Sequence, residues 1–250
     1  MDTKVQLATM IKEAKHIVAF TGAGISTESG IPDFRSSGGI YDQLSKMQYS
    51  GEEALHVDFL ERYPELFFKN YRKTLEFPDA QPNFGHIFFK KLEESGKKVD
   101  IITQNIDHLH QATGVSHVWP VHGNASKWKV HHFNEPVATE ERVWDEKGIA
   151  RNQKGELIRP DIVLYGEPLD EEVFQKAWEA IAEADLLIVI GTGLNVYPAA
   201  GLLDAFSGEH SVLINRTSVP SLQSFDLIFQ ESSGELLQEI WEEYLIDLHT

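Results

Sequence analysis

The chain has 250 residues, 42% apolar and 24% charged, with a formal charge of −17 at neutral pH. That composition belongs to a globular protein with a substantial core, and the acidity argues against a general nucleic-acid binder, which needs a positive surface. There is no cysteine, which excludes disulfides, a thiol nucleophile and any thiolate-held metal. The acidity would favour a basic peptide as partner, but it also serves simply to keep a cytoplasmic protein in solution. No apolar run approaches the roughly eighteen residues of a membrane span. Met1–Leu7 lacks the basic and apolar regions of a signal peptide. A cytoplasmic protein with no membrane partner is the expectation.

In chain order, residues 3–15 carry an amphipathic helical pattern through Val5, Leu7, Ala8, Ile11 and Ala14. Ile17–Phe20 is a short buried strand that runs into Thr21-Gly22-Ala23-Gly24. Glycines 22 and 24 let the backbone turn sharply and approach a ligand closely. Ser26, Thr27 and Ser29 can cap a following helical turn whose free N–H groups would face an anion, and Pro32 ends it. This arrangement holds a phosphate in open α/β sheets, although Thr27 stands where a third fingerprint glycine would be. The Ser36–Gly39 loop is a candidate lid. Residues 52–76 have helical spacing with an aromatic stripe read as core.

A helix from His86 ends at Gly96. Val99–Ile102 is a second strand, which enters Thr103-Gln104-Asn105-Ile106-Asp107, where another helix starts. A short strand within 115–121 precedes His122-Gly123-Asn124. Residues 125–158 alternate irregularly between polar turns and read as a small β-rich insert. The remainder alternates strand and helix: strand 162–165, helix 171–182, strand 186–190 before Gly191-Thr192-Gly193, helix 199–206, strand 212–214 before Asn215, strand 225–228 and helix 234–246. Continuous apolar strands alternating with helices imply an α/β fold with a parallel sheet covered on both faces. The ends at Thr21, Thr103, Gly191 and Asn215 would then share one edge, where such sheets bind ligands.

Asn105, Asp107 and His122 are the candidate reacting groups, with a helix N-cap as the plainer role for Asp107. The histidines between 108 and 132 lack the i, i+4 spacing of a helical zinc site. His131 and His132 would face opposite ways on a strand. No metal is expected.

Gly22-Ala23-Gly24-Ile25-Ser26-Thr27-Glu28-Ser29-Gly30-Ile31-Pro32-Asp33-Phe34-Arg35 resembles the signature of the sirtuins, the NAD-dependent protein-lysine deacylases. Thr103–His110, Val121–Asn124, Arg159–Glu167, Gly191–Ala200 and Ile214-Asn215 are similar to further sirtuin motifs, in the right order along nearly the whole chain. The resemblance implies a Rossmann-like domain built from 1–37, 77–124 and 159–250. A smaller domain would come from two insertions, a helical one at 38–76 and a β-rich one at 125–158.

The resemblance further implies that NAD is consumed as co-substrate and an acylated-lysine protein or peptide is the partner. The acyl oxygen would attack the ribose carbon as nicotinamide leaves, through an oxocarbenium-like state that needs water excluded. Gly22, Ala23, Gly24, Thr27, Asp33, Phe34 and Arg35 would line the pyrophosphate and ribose. Gln104, Asn105, Ile106 and Asp107 would form the nicotinamide pocket, and Thr192, Gly193 and Asn215 would hold the adenosine half. His122 would be the general base on a ribose hydroxyl. Val163, Leu164, Tyr165, Gly166 and Glu167, with Leu194, Asn195 and Val196, would sandwich the peptide as an added strand.

The chain departs from the sirtuin pattern at several positions. The two Cys-x-x-Cys pairs that hold zinc in most sirtuins fall near Val130, Phe133, Arg151 and Lys154, so no zinc is expected. Trp128, Val130, Phe133, Val143, Trp144 and Ile149 would replace it with a hydrophobic cluster. Gly193 stands for the usual serine, His108 for glycine or arginine, and Asn124 for serine or threonine. The Tyr-x-x-Arg pair of desuccinylating sirtuins is not evident, since Thr74 is third after Tyr71. Two alternatives stay open: an NAD hydrolase or ADP-ribosyltransferase using the same pocket, and a non-catalytic NAD or acyl-lysine binding module.

Overall fold

A computed structural model describes residues 2–46, 49–219 and 224–249. Its centre is a six-stranded parallel sheet of β1 (His16–Thr21), β2 (Lys98–Thr103), β3 (Val118–Pro120), β9 (Leu186–Ile190), β10 (His210–Ile214) and β11 (Leu227–Phe229), in the order β11-β10-β9-β1-β2-β3. β1 is flanked by β2 on one side and β9 on the other, with Ile17 opposite both Val99 and Leu186. The chain order reverses there, and the carboxyl ends of β1, β2, β9 and β10 lie along one edge, the geometry that opens a ligand crevice.

The period-two alternation of β1 explains the layers. Ile17 and Ala19 join the core beneath α1 (Thr3–Glu13), α6 (Phe84–Glu94) and α9 (Ser233–Ile240), with Leu7, Phe88, Phe89 and Leu236. Val18 and Phe20 face the other core, beneath α8 (Glu171–Ala182) and the 3₁₀ segment Ala199–Ala205, with Ile181 and Leu202. Asp170 starts α8 by accepting the Val173 N–H at 3.0 Å, with Glu171 and Glu172 on its positive end.

A third core joins residues 40–75 to 128–164. Its helices are α2 (Ile40–Ser45), α3 (Gly51–Ala54), α4 (Val57–Arg62) and α5 (Pro64–Thr74). The stretch expected to be helical over 52–76 is therefore interrupted, at His56 and at Tyr63, because Pro64 lacks the N–H that would continue the turn. The strands of this part are β4 (Gly123–Val130), β5 (Pro136–Val137), β6 (Val143–Trp144), β7 (Ala150–Arg151) and β8 (Ile158–Ile162). β4 pairs antiparallel with β5 and β8, and β6 with β7. The strand expected at 162–165 thus lies earlier, because Arg159 and Pro160 pair with Lys129 and Trp128.

The β-rich insert is held together by an aromatic stack. Trp128 packs against Phe68, Tyr71 and Trp144, with centroids 6.0–6.5 Å apart. The Arg142 guanidinium lies 4.4 Å over Trp128, and that of Arg72 4.7 Å over Trp144. Arg151 donates from Nε to Asp145 at 2.8 Å and from Nη1 to the Gly155 carbonyl at 3.1 Å. Trp128, Val130 and Ile149 are buried as expected, but Phe133 and Val143 are exposed. Alternation along β6 turns Trp144 inward and Val143 out, and Phe133 sits in the turn after β4. That turn also corrects the reading of His131 and His132. The strand ends at Val130, so the two rings lie side by side, centroids 4.3 Å apart.

Candidate active site

The turn after β1 is a 3₁₀ segment, Ala23–Ser29, that ends at Gly30 in the left-handed region, before Pro32 is reached. The close approach its glycines allow is to the neighbouring strand end. A Cβ on Gly24 would stand 2.6 Å from the Gly191 Cα. Gly22 and Gly24 donate to the carbonyls of Ile190 and Gly191 at 2.9 and 2.8 Å. The hydroxyls do not cap the segment. Thr27 bonds back to the Gly24 carbonyl at 2.9 Å, and buried Ser26 donates to Asp107 at 2.6 Å. Asp33 folds the next loop by accepting from the Arg35 and Ser36 N–H groups at 3.0 and 2.7 Å.

After β2, no helix forms at Asn105–Asp107. The helical turn α7 covers only Leu109–Ala112, because His108 adopts φ 67°. Asn124 donates to His108 Nδ1 at 2.9 Å and holds it there, so two departures from the sirtuin pattern support each other. Asp107 accepts the Leu109 N–H at 3.0 Å, the capping role, and the Ser26 hydroxyl on its other oxygen. Asn105 donates to Ser26 at 3.2 Å, and His86 lies 3.4 Å from the same hydroxyl. Thr21 lies 3.0 Å from His110 Nε2. This buried network fixes the Asn105 amide from behind. Burial pushes the Asp107 carboxyl up, against the Ser26 hydrogen bond, and pushes His86 down to about 4.

Gln104 bridges the two central strand ends, its main-chain N–H to Thr21 and its side-chain amide to Thr192 at 2.9 Å. Its carbonyl lies 3.0 Å from His122 Nδ1. A carbonyl can only accept, so Nδ1 carries the proton and Nε2 is left as the ring's acceptor. Burial lowers the His122 pKa, with the Gln104 bond opposing it. The imidazole is therefore neutral and basic at pH 7.

These residues line a cleft of about 830 Å³. Gly22, Ala23, Gly24, Thr27, Asp33, Phe34, Arg35, Gln104, Asn105, Ile106, His122, Thr192, Gly193 and Asn215 all reach it. So do Val163–Glu167 and Leu194–Val196. Asp107 does not; it stands behind Ser26. A Cβ on Gly193 would meet only the Asn195 side-chain amide, at 2.9 Å, which can move aside, so packing does not demand the glycine. Glu167 is engaged rather than free. It pairs with Nη2 of buried Arg159 and accepts the Leu164 N–H at 2.9 Å, which stiffens the 163–167 segment. The sequence reading missed Tyr41, which lines the cleft and bonds through its hydroxyl to Tyr165. It also missed Arg216–Val219, whose only signal is position after β10.

A model described as "Sir2 family" matches residues 22–198. An NAD-dependent protein deacetylase of Clostridium perfringens is 43% identical over 246 residues, covering 96% of this chain and 99% of its own. One of Clostridium acetobutylicum is 40% identical, covering 96% and 98%. Among solved structures, a Sir2 with deacetylated p53 peptide and 3′-O-acetyl ADP ribose superposes with a TM-score of 0.85. It is 33% identical and covers 96% of this chain and 97% of its own. A Sir2 with p53 peptide and NAD⁺ gives 0.83 at 33% identity, covering 97% and 98%.

Proposed function

Because the chain belongs to the Sir2 family, we propose that it is an NAD-dependent protein-lysine deacetylase, an enzyme that passes the acyl group of a lysine to ADP-ribose and releases nicotinamide. The observation that carries this reading is His122. It is half-buried at the wall of a cleft large enough for a dinucleotide, with Nδ1 engaged by the Gln104 carbonyl and Nε2 left to accept a proton.

The cleft suits NAD by its own residues. The Ala23 main-chain N–H and the Thr192 and Asn215 side chains offer polar contacts for the phosphates and adenosine. Phe34, Ile106 and Leu164 offer apolar surface for flat rings and for the acyl group. When bound, NAD would supply the glycosidic bond to nicotinamide, whose breakage leaves an electrophilic ribose carbon for the acyl oxygen. The protein's part is positioning and proton transfer. Asn105 is oriented by Ser26, so its amide presents a fixed face to the nicotinamide side. Asp107 fixes Ser26 from behind, which makes it a positioning residue. His122 takes a proton from a ribose hydroxyl. The 163–167 segment, tied to Leu55 and Val57 through the Tyr165 main chain, and residues 194–196 would flank the peptide backbone.

This reading divides the chain into a nucleotide domain of 1–37, 77–124 and 159–250 and a smaller domain from the two insertions. With no cysteine, no thiolate zinc is present. Among the described residues no helix is long and apolar enough to cross a membrane, and the cytoplasm is the compartment we propose. Mass spectrometry of an acetyl-lysine peptide with NAD tests the activity. Loss of the acetyl mass only when NAD is present is expected. An unchanged peptide with every acyl chain tried would contradict it.

A further inference from the structure

Glu61 lies in the last turn of α4 on the helical insertion, and His131 and His132 lie in the turn that leaves β4 on the other insertion. The two imidazoles are tilted 43° with centroids 4.3 Å apart. His131 Nε2 is 3.5 Å from Glu61 Oε1. One donor atom from each residue lies within 4.8 Å of the other two. None of the three lines the cleft.

His131 is the informative member. Its side chain is 3% exposed, yet Nδ1 has no hydrogen-bond partner among the described residues and Nε2 has only the 3.5 Å approach of Glu61. An imidazole buried without a partner is costly. Its main-chain N–H bonds the Leu157 carbonyl at 3.0 Å, so the turn cannot easily release it. A neutral imidazole keeps one ring-nitrogen lone pair for a ligand bond. Arg159 would oppose a cation, but Glu167 pairs with it. Glu61 and His132 are exposed, which gives an ion a path in from solvent.

We infer that Glu61, His131 and His132 form a three-ligand site for a late first-row divalent cation, one that ties the helical insertion to the β-rich one. Two imidazoles and one carboxylate suit Ni²⁺, Cu²⁺ and Zn²⁺. They suit Ca²⁺ and Mg²⁺ poorly, since those ions favour all-oxygen sets. Metal–ligand distances of about 2.0–2.1 Å put tetrahedral donors roughly 3.3 Å apart. Binding would therefore draw the two exposed side chains in from within 4.8 Å toward that spacing about a fixed His131. A fourth position stays open to water.

The test is calorimetric titration of the full-length, tag-free chain with Ni²⁺, repeated with Zn²⁺, and melting curves with and without EDTA. One saturable equivalent is expected, with a rise in melting temperature that EDTA reverses. His132→Ala and Glu61→Gln change exposed side chains, so both variants fold. Each is expected to weaken binding at least about tenfold and to abolish the EDTA-sensitive rise. His117→Ala, at an exposed histidine elsewhere, leaves both intact. No saturable binding in the parent chain would overturn the inference, as would wild-type affinity in either His132→Ala or Glu61→Gln.

Discussion

At the scale of single residues, the site depends on side chains whose protons are placed by burial. His86 is fully buried, and its pKa is lowered to about 4 by burial. Its folded value lies below its unfolded one, so the unfolded chain binds the extra proton between pH 6.5 and 4. Stability is present above pH 6.5 and falls as the pH drops through that window, by roughly 3 kcal/mol for this residue alone. His110 is lowered in the same direction by burial. His86→Asn keeps a donor for Ser26 but does not titrate, so urea unfolding across that range is expected to show a shallower pH slope. An unchanged slope would show that His86 carries no such linkage. Glu167 gives a second prediction. Its removal leaves the buried Arg159 guanidinium without its carboxylate. Glu167→Ala is expected to cost roughly 3 kcal/mol in denaturant unfolding; a loss below about 1 kcal/mol would mean that the pair is solvated.

At the scale of elements, the apolar strands were legible because a continuous hydrophobic run between turn residues has few other readings, as at 186–190. What could not be read was partnership over long separations. Ser232 starts α9 without a side-chain cap, and the cap comes instead from Glu28, which accepts the Gly234 and Glu235 N–H groups at 2.7 and 3.3 Å. No local spacing announces a cap 206 residues away. Glu28→Ala is expected to lower stability by about 1 kcal/mol and to loosen amide protection in the first turn of α9. Unchanged protection there would contradict the assignment. The β-rich insert shows the same limit. Its aromatic residues marked it as apolar, but the arginines stacked on Trp128 and Trp144 and the outward turn of Phe133 depend on contacts with α5 and on the bend after β4.

At the scale of the whole molecule, one edge of one parallel sheet collects segments from across the chain into a single cleft. The sequence motifs marked which segments those are, because each ends or follows a strand of the same sheet or of β8. Depth within the cleft was not legible. Asp107 and Asn105 are two residues apart, yet Asn105 lies on the cleft wall and Asp107 behind Ser26, bonded to its hydroxyl. The proposed reaction couples nicotinamide loss to an acyl-lysine in this cleft, with His122 taking the ribose proton that completes acyl transfer. Nicotinamide release and peptide deacetylation are measured together, with and without an acetyl-lysine peptide, in the parent chain and in His122→Ala. Release that requires the peptide, with loss of deacetylated product in His122→Ala, is the predicted result. Peptide-independent release at the same rate would rule out that coupling and make the chain an NAD hydrolase.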